Sequence, residues 1–276
     1  MQPPTRHVVY GCESSHHPVE DDENMPTTLL VRAEYDGRMQ TPPSTRMRTL
    51  GAFLPFVVVS IVHVAALAAE SPLAVPTKAL LMPLLAVPVL LDARRIIALR
   101  SRTPVMLLLG ALFFSWLGDE AGLFFPFAPE LPLMLGFFGI AHVAYIVLFL
   151  RVLRVRRLPL WTVVYGLWWM LMLVTLGPHT GPLLVGVGAY GLVLAGTAAT
   201  AARCTPIIAL GGAFFLLSDS ILAFRLFLPD AMPAWTSPAV MLTYTLGQGL
   251  LVWGALRALR VSPSSNPAAA SEEVVR

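Results

Sequence analysis

Residues 206–228 read Pro-Ile-Ile-Ala-Leu-Gly-Gly-Ala-Phe-Phe-Leu-Leu-Ser-Asp-Ser-Ile-Leu-Ala-Phe-Arg-Leu-Phe-Leu. A helix of this length crosses a hydrocarbon core of about 30 Å. Its apolar residues form a continuous run, not the single stripe of a helix on a water-soluble core. One ionisable residue, Asp219, sits well inside it. A carboxylate in a membrane span costs a few kcal/mol on insertion scales and needs a reason to be there. The stretch thus predicts a bilayer-crossing helix and marks a candidate site within it.

Seven similar runs precede and follow, at approximately 49–69, 72–91, 104–125, 131–150, 158–177, 182–202 and 236–257. Prolines such as Pro72, Pro104, Pro132, Pro159, Pro182 and Pro238 stand near their starts, where the missing N–H costs little. Composition agrees. Of the 276 residues 56% are hydrophobic and 13% charged, with mean hydropathy +0.71. Soluble domains carry about 25% charged residues, enough to coat their surface. The expected fold is an all-α polytopic membrane protein of about eight spans. Residues 1–46 are polar and rich in Pro, Ser, Thr and acidic residues, and read as a disordered tail. Residues 47–260 form the membrane domain, and 261–276 a second disordered tail. The first apolar run begins near Leu50, so no signal peptide is read. A start at Met39 or Met47 would shorten the first tail.

All 19 basic residues except Lys78 are arginine, and their positions orient the chain. Arg46 and Arg48, Arg94 to Arg102, Arg151 to Arg157, Arg203, Arg257 and Arg260 fall on alternate connections. The opposite connections hold Arg225 with Glu70, Glu130 and Asp230. Under the positive-inside rule both termini are expected in the cytoplasm of a multi-pass cell-membrane protein. Arginines clustered at helix ends face a membrane surface, so the basic pI near 9.1 does not indicate nucleic acid. Cys12 and Cys204 both fall on the inner side, where no disulfide is expected. A weak repeat is visible. Ala111 to Asp119 echoes Gly212 to Asp219, and aligning the arginine ends of the fourth and eighth runs sets His142 opposite Gln248.

Several ionisable side chains interrupt the spans: His63, Lys78, Asp119, Glu120, His142 and Asp219, joined by Tyr145, Ser218, Tyr244 and Gln248. At 1.5 Å per residue, Lys78, Asp119, His142, Asp219, Tyr244 and Gln248 all lie roughly 9–18 Å below the outer surface. A shared depth on five helices points to one polar pocket. Plainer readings apply to some. Glu120 is expected to reach water at a helix end, His63 to bond a backbone carbonyl in the core, and Ser218 to back-bond within its own helix. Trp168 and Trp169 fit lipid contact or packing. Lys78 with either aspartate could be a structural ion pair.

Two buried carboxylates near one lysine do not ionise alike, which supplies a proton donor and an acceptor in one place. Such a pair suits acid-catalysed cleavage through an oxocarbenium-like state. It equally suits an intramembrane aspartyl protease or a proton-coupled lipid or solute transporter. HExxH, Gly-x-Ser-x-Gly and Walker patterns are absent, as is Cys/His metal spacing, so no metal or cofactor is expected.

The motif set resembles the YhhN/TMEM86 family. The residues that carry it are Lys78 with Met82-Pro83-Leu84-Leu85, Phe114 to Asp119, and Gly139-Ile-Ala-His142-Val-Ala-Tyr145. Gly212 to Asp219 and Met241-Leu-Thr-Tyr244-Thr-Leu-Gly-Gln248 complete the set. It departs from the family pattern at Ala79 and Gly247 without losing a polar group. The resemblance implies hydrolysis of the vinyl ether bond of lysoplasmalogens to a fatty aldehyde and a glycerophospho-base. Asp219 and Asp119 would be the catalytic pair, with Asp219 as acid. Lys78, His142, Tyr145, Ser218, Tyr244 and Gln248 would bind the substrate, a lysophospholipid drawn from the surrounding membrane lipids. The sequence carries no signal for oligomeric state.

Overall fold

The computed structural model describes the backbone of residues 43–260 and the side chains of residues 51–260. Eight principal helices follow one another: α1 (Pro43–Ala68), α2 (Ala74–Leu99), α3 (Thr103–Asp119), α4 (Glu130–Arg151), α5 (Val163–Leu176), α6 (Leu184–Ala201), α7 (Pro206–Phe227) and α8 (Thr236–Leu259). Short turns punctuate them at Ala121–Phe124, Leu160–Thr162, Gly177–His179, Gly181–Leu183 and Pro229–Ala231. Seven of the helical segments are long and apolar enough to cross a membrane, and α3, at 17 residues, is slightly shorter. The chain is an all-α multi-span membrane protein.

Some boundaries move. The third run, expected to continue to residue 125, stops as a helix at Asp119 because Glu120 leaves helical angles (φ −107, ψ 21). The second helix runs past its expected end at residue 91 and carries Asp92, Arg94 and Arg95 on added turns. The first starts at Pro43, so the last residues of the expected tail are helical. Residues 1–42 and 261–276, with Cys12, lie outside the described residues. Cys204 is a free, buried thiol.

Six helices close into a ring. α2 packs on α3, α3 on α4, α4 on α6, α6 on α7, α7 on α8, and α8 returns to α2. α5 flanks α6 and α7 from outside. The most extensive pairings are α7 with α8 and α3 with α4. Small residues explain them. A Cβ on Gly247 would lie 2.8 Å from the Phe215 backbone nitrogen, and one on Gly211 would lie 2.8 Å from that of Leu251. Between α3 and α4, Gly118 admits the Phe138 ring, 2.6 Å from where its Cβ would be. Within hydrocarbon, burying apolar surface gives helices little reason to associate, so close approach and interhelical hydrogen bonds must do it. α8 is the most enclosed: 56% of its apolar window is buried, against 17% for the segment that contains α5. Leu54, Ile61, Leu171, Val174 and Val185 face outward, as a lipid-facing surface requires. Where the loops are rich in arginine, Arg260 pairs with Asp92 and ties the end of α8 to α2.

The α7–α8 contact predicts opposite outcomes for two identical substitutions. Gly→Ala in an open helix position gains up to about 1 kcal/mol of helix propensity, whereas overpacking costs about 1–3 kcal/mol. A Cβ added at Gly110 on α3 would meet nothing within 4 Å, so Gly110→Ala should hold or raise the melting temperature in detergent. Gly247→Ala should lower it.

Candidate active site

The ring brings the site residues to one end. Lys78 lies in the second turn of α2, Asp119 at the last position of α3, and His142 in the middle of α4. Asp219 lies about two turns before the end of α7, and Tyr244 in the third turn of α8. This end carries the connections at 69–73, 120–129, 177–183 and 228–235, opposite the arginine-rich ones.

The last carbonyls of a helix have no intrahelical donor and carry the negative end of its dipole. Lys78 Nζ meets that need by donating to the backbone carbonyl of Asp119 at 2.5 Å. One residue further along α2, the Ala79 carbonyl accepts from Trp116 Nε1 at 2.9 Å. Lys78 is therefore no carboxylate ion-pair partner in the direct sense. It caps α3 and leaves the Asp119 side chain free to be held elsewhere.

That holding comes from α8. The Tyr244 hydroxyl donates to Asp119 Oδ2 at 2.7 Å. The Tyr244 oxygen accepts in turn from Gln248 Nε2 at 3.4 Å, which also donates to Ser115 Oγ at 3.0 Å. Gln248 Oε1 accepts from the Tyr145 hydroxyl at 2.6 Å, and this fixes the orientation of the amide. Tyr145, Gln248 and Ser115 are fully buried and Tyr244 is nearly so. Every hydrogen running from Tyr145 through Gln248 and Tyr244 points toward Asp119, so the chain is satisfied when Asp119 is a bare carboxylate.

Asp219 sits in a second chain, one that contains an imidazole. Its Oδ2 shares a hydrogen bond with the Tyr190 hydroxyl on α6. The same oxygen of Tyr190 lies 3.3 Å from His142 Nε2. Thr197 Oγ1 is equally far, 3.1 Å, from His142 Nδ1 and from the Val193 carbonyl, so its hydrogen fits either. In the Nε2–H tautomer a neutral His142 donates to the Tyr190 oxygen, and Tyr190 donates to a bare Asp219 carboxylate. In the Nδ1–H tautomer Tyr190 donates to Nε2, and the Asp219 carboxyl supplies a proton of its own. Asp219 is thus joined through Tyr190 to an imidazole, whereas Asp119 accepts from a tyrosine fixed by a neutral amide.

Phe215, one turn before Asp219, stands edge-on to His142 (centroids 4.6 Å apart) and to Tyr244 (5.4 Å), dividing the two chains. The two carboxylates remain close enough to act on each other electrostatically.

A model of the YhhN family matches residues 73–255, from just before α2 into α8. The chain belongs to the YhhN family. Comparison with curated proteins and with solved structures gives no match. The matched stretch contains nearly the whole ring of this YhhN protein and both hydrogen-bonded chains.

Among the expected site residues, Asp119, Lys78, Tyr145, Tyr244 and Gln248 form one cluster, and Asp219 and His142 belong to the other. Ser218 lies apart from both. It donates to the Val240 carbonyl of α8 at 3.0 Å, not back within α7, and it fastens the two helices. Glu120, expected to reach water, is buried at 5% exposure, and its Oε1 has no partner. His63 Nδ1 bonds the Thr77 hydroxyl at 3.0 Å. Trp168 and Trp169 line a narrow cleft of about 50 Å³ with Leu173, Leu176 and Leu194, and Asp219 and Tyr190 complete its lining. Tyr190, Thr197 and Ser115 carry no signal in the sequence that singles them out. Among the described residues, no three His, Cys, Asp or Glu side chains gather as a metal site would need.

The two tautomers of His142 differ by one proton at Asp219, and the Nδ1–H form predicts a protonated carboxyl there at neutral pH. Infrared spectra of the detergent-solubilised protein should then show a protonated-carboxyl carbonyl band that Asp219→Asn reduces and Asp119→Asn leaves. A band that Asp219→Asn does not change would mean an ionised Asp219 with the ring hydrogen of His142 on Nε2.

Proposed function

We propose that this YhhN protein is a membrane-embedded ether hydrolase acting on the vinyl ether bond of lysoplasmalogen-type lysophospholipids in the cell membrane. The observation that carries the reading is the different company of the two carboxylates: Asp219 is joined through Tyr190 to an imidazole that can hold or release a proton, and Asp119 accepts from a tyrosine fixed by a neutral amide. Acid–base catalysis needs that division at one site. A narrow cleft reaches Asp219, and Trp168, Leu173, Leu176 and Leu194 along it give an alkenyl chain an apolar approach from the lipid.

In the proposed reaction, Asp219 gives its proton to the alkenyl carbon remote from the ether oxygen, and the adjacent carbon becomes an oxocarbenium ion. Tyr190 and His142 relay the compensating hydrogen-bond shift. Water adds to the cation and gives a proton to Asp119, whose negative charge also stabilises the cation before addition. The resulting hemiacetal collapses when Asp119 returns its proton to the glycerol oxygen and the hemiacetal hydroxyl returns one to Asp219. Aldehyde and glycerophospho-base leave, and both carboxyl groups are restored. Tyr244 and Gln248 hold Asp119 through the cycle, and Lys78 offers a cation toward the phosphate.

The test is aldehyde release from 1-alkenyl lysophospholipid by purified protein, followed by mass spectrometry. Asp119→Asn and Asp219→Asn should each reduce turnover by roughly 10²–10⁴-fold, the usual contribution of a positioned acid or base. Tyr190→Phe keeps the ring, removes the relay hydroxyl, and should slow turnover with a smaller effect on KM. Folded wild-type protein that releases no aldehyde, or an Asp219→Asn variant with full turnover, would overturn the proposal.

A further inference from the structure

On the side of the ring away from the apolar cleft, a chamber of about 280 Å³ opens between α1, α2, α7 and α8. Its polar lining consists of His63, Lys78, Arg225 and Ser237. No carboxylate is among the lining residues. The nearest acidic groups that act on Lys78 are Asp119 and Glu120, both at the end of α3. Arg225 makes one hydrogen bond, from Nη1 to Thr236 Oγ1 at 2.5 Å, and has no carboxylate partner among the described residues. A guanidinium carries five N–H donors in a planar fork, so most of them are unspent.

His63 supplies a second, independent sign. It is 1% exposed, and its Nε2 has no partner. The Thr77 hydroxyl sends its hydrogen to the Leu73 carbonyl at 2.6 Å, so its oxygen is the acceptor for His63 Nδ1 at 3.0 Å. Nδ1 therefore holds the ring hydrogen in the neutral form, and Nε2 is a buried polar atom left without a bond in a largely apolar chamber that also holds Lys78 and Arg225. Buried polar atoms without partners are rare and need an explanation. Arg225, a cation without a carboxylate partner among the described residues, needs one as well.

We infer that this chamber is a phosphate-binding subsite in which Arg225 and His63 join Lys78 around a tetrahedral phosphate oxyanion. Arg225 presents its fork to two phosphate oxygens, Lys78 supplies a point charge, and Nε2 takes a proton to donate to a third oxygen or accepts one from a phosphate monoester. Ser237 can contribute a hydroxyl. Lys78 touches both this chamber and the end of α3, so a phosphate held here lies beside the Asp119 carbonyl it caps. The inference deepens the proposed function, resting on that reading only for where the phosphate comes from: the headgroup of a single-chain lysophospholipid.

The test uses full-length protein in nanodiscs and a saturated 1-alkyl lysophosphatidylcholine. This probe has no vinyl ether, so binding is read whether or not the protein cleaves one. The comparison ligand is a 1-alkylglycerol with the same chain and no phosphate. Wild type should prefer the phosphate-bearing ligand. Arg225→Gln and His63→Gln should each weaken it by about ten- to a hundredfold, as one lost charge-assisted hydrogen bond predicts, while alkylglycerol affinity changes by less than about twofold. Unchanged alkylglycerol binding also reports that the variants are folded. Arg225→Lys should recover part of the preference. Equal wild-type affinity for the two ligands, or a preference that survives both neutral variants, would overturn the subsite. Inorganic phosphate that binds the wild type but is not displaced by the alkyl lysophospholipid would keep the anion site and overturn the lipid headgroup as its source.

Discussion

A polar group inside hydrocarbon has no water to fall back on, and every other feature of the ring answers to that. Asp119 and Asp219 persist within it because each is reached by a tyrosine from a different helix. The helices that carry the two aspartates also stand unusually close to a neighbour. Gly211 and Gly247 bring α7 and α8 nearly into backbone contact, and Gly118 lets Phe138 of α4 fold over α3. The close contacts and the hydrogen bonds are therefore one device. Widening the α7–α8 gap by a methyl group would move Tyr244 relative to α7 as well as loosening the bundle.

The ends of the helices complete the device. α3 is the shortest helix of the ring, and its early stop at Asp119 exposes carbonyls inside the bundle. A lysine one turn into α2 takes up one of them. The pairing turns a helix terminus, ordinarily a liability away from water, into the fixed point from which the Asp119 side chain projects. It also explains why a cation stands beside a carboxylate without being bonded to it.

Much of this is legible in the sequence, for a definite reason. An ionisable residue in a long apolar run is conspicuous, so Asp119, Asp219, Lys78 and His142 stand out, as do Tyr244 and Gln248 at matching depth. The residues that escape notice share the opposite property. Tyr190 lies among small and aliphatic residues in α6, and a lone tyrosine in a span ordinarily reads as packing. Its role follows from α6 facing both α4 and α7, which no one-dimensional pattern encodes. Thr197 is a residue type that usually bonds within its own helix. Ser218 fails in the reverse direction: its place beside Asp219 suggests the site, but its side chain points to α8. Glu120 misleads because depth counted along the third run assumes a continuous helix, whereas the chain breaks there and turns the side chain inward. Arg225 falls on a connection when charge alone is read. Its position on the last turn of α7 makes it part of a chamber wall.

The pairs α3–α4 and α7–α8 echo each other in sequence, yet their carboxylates keep different company. Aligning the arginine ends sets His142 opposite Gln248. Each lies next to a tyrosine that touches an aspartate. Gln248 can only donate through the nitrogen that faces Tyr244, because its oxygen is held by Tyr145. The Tyr244 hydrogen is thereby sent to Asp119. His142 faces Tyr190 with Nε2, while its Nδ1 meets Thr197. With the ring hydrogen on Nδ1, the Tyr190 hydrogen is drawn to the histidine and Asp219 supplies a proton of its own. With it on Nε2, Tyr190 donates to the carboxylate. A fixed amide in one half and an imidazole in the other thus give one tyrosine hydroxyl a set direction and let the other reverse. What differentiates two aspartates that share the same hydrocarbon surroundings is the residue two hydrogen bonds away from each carboxylate.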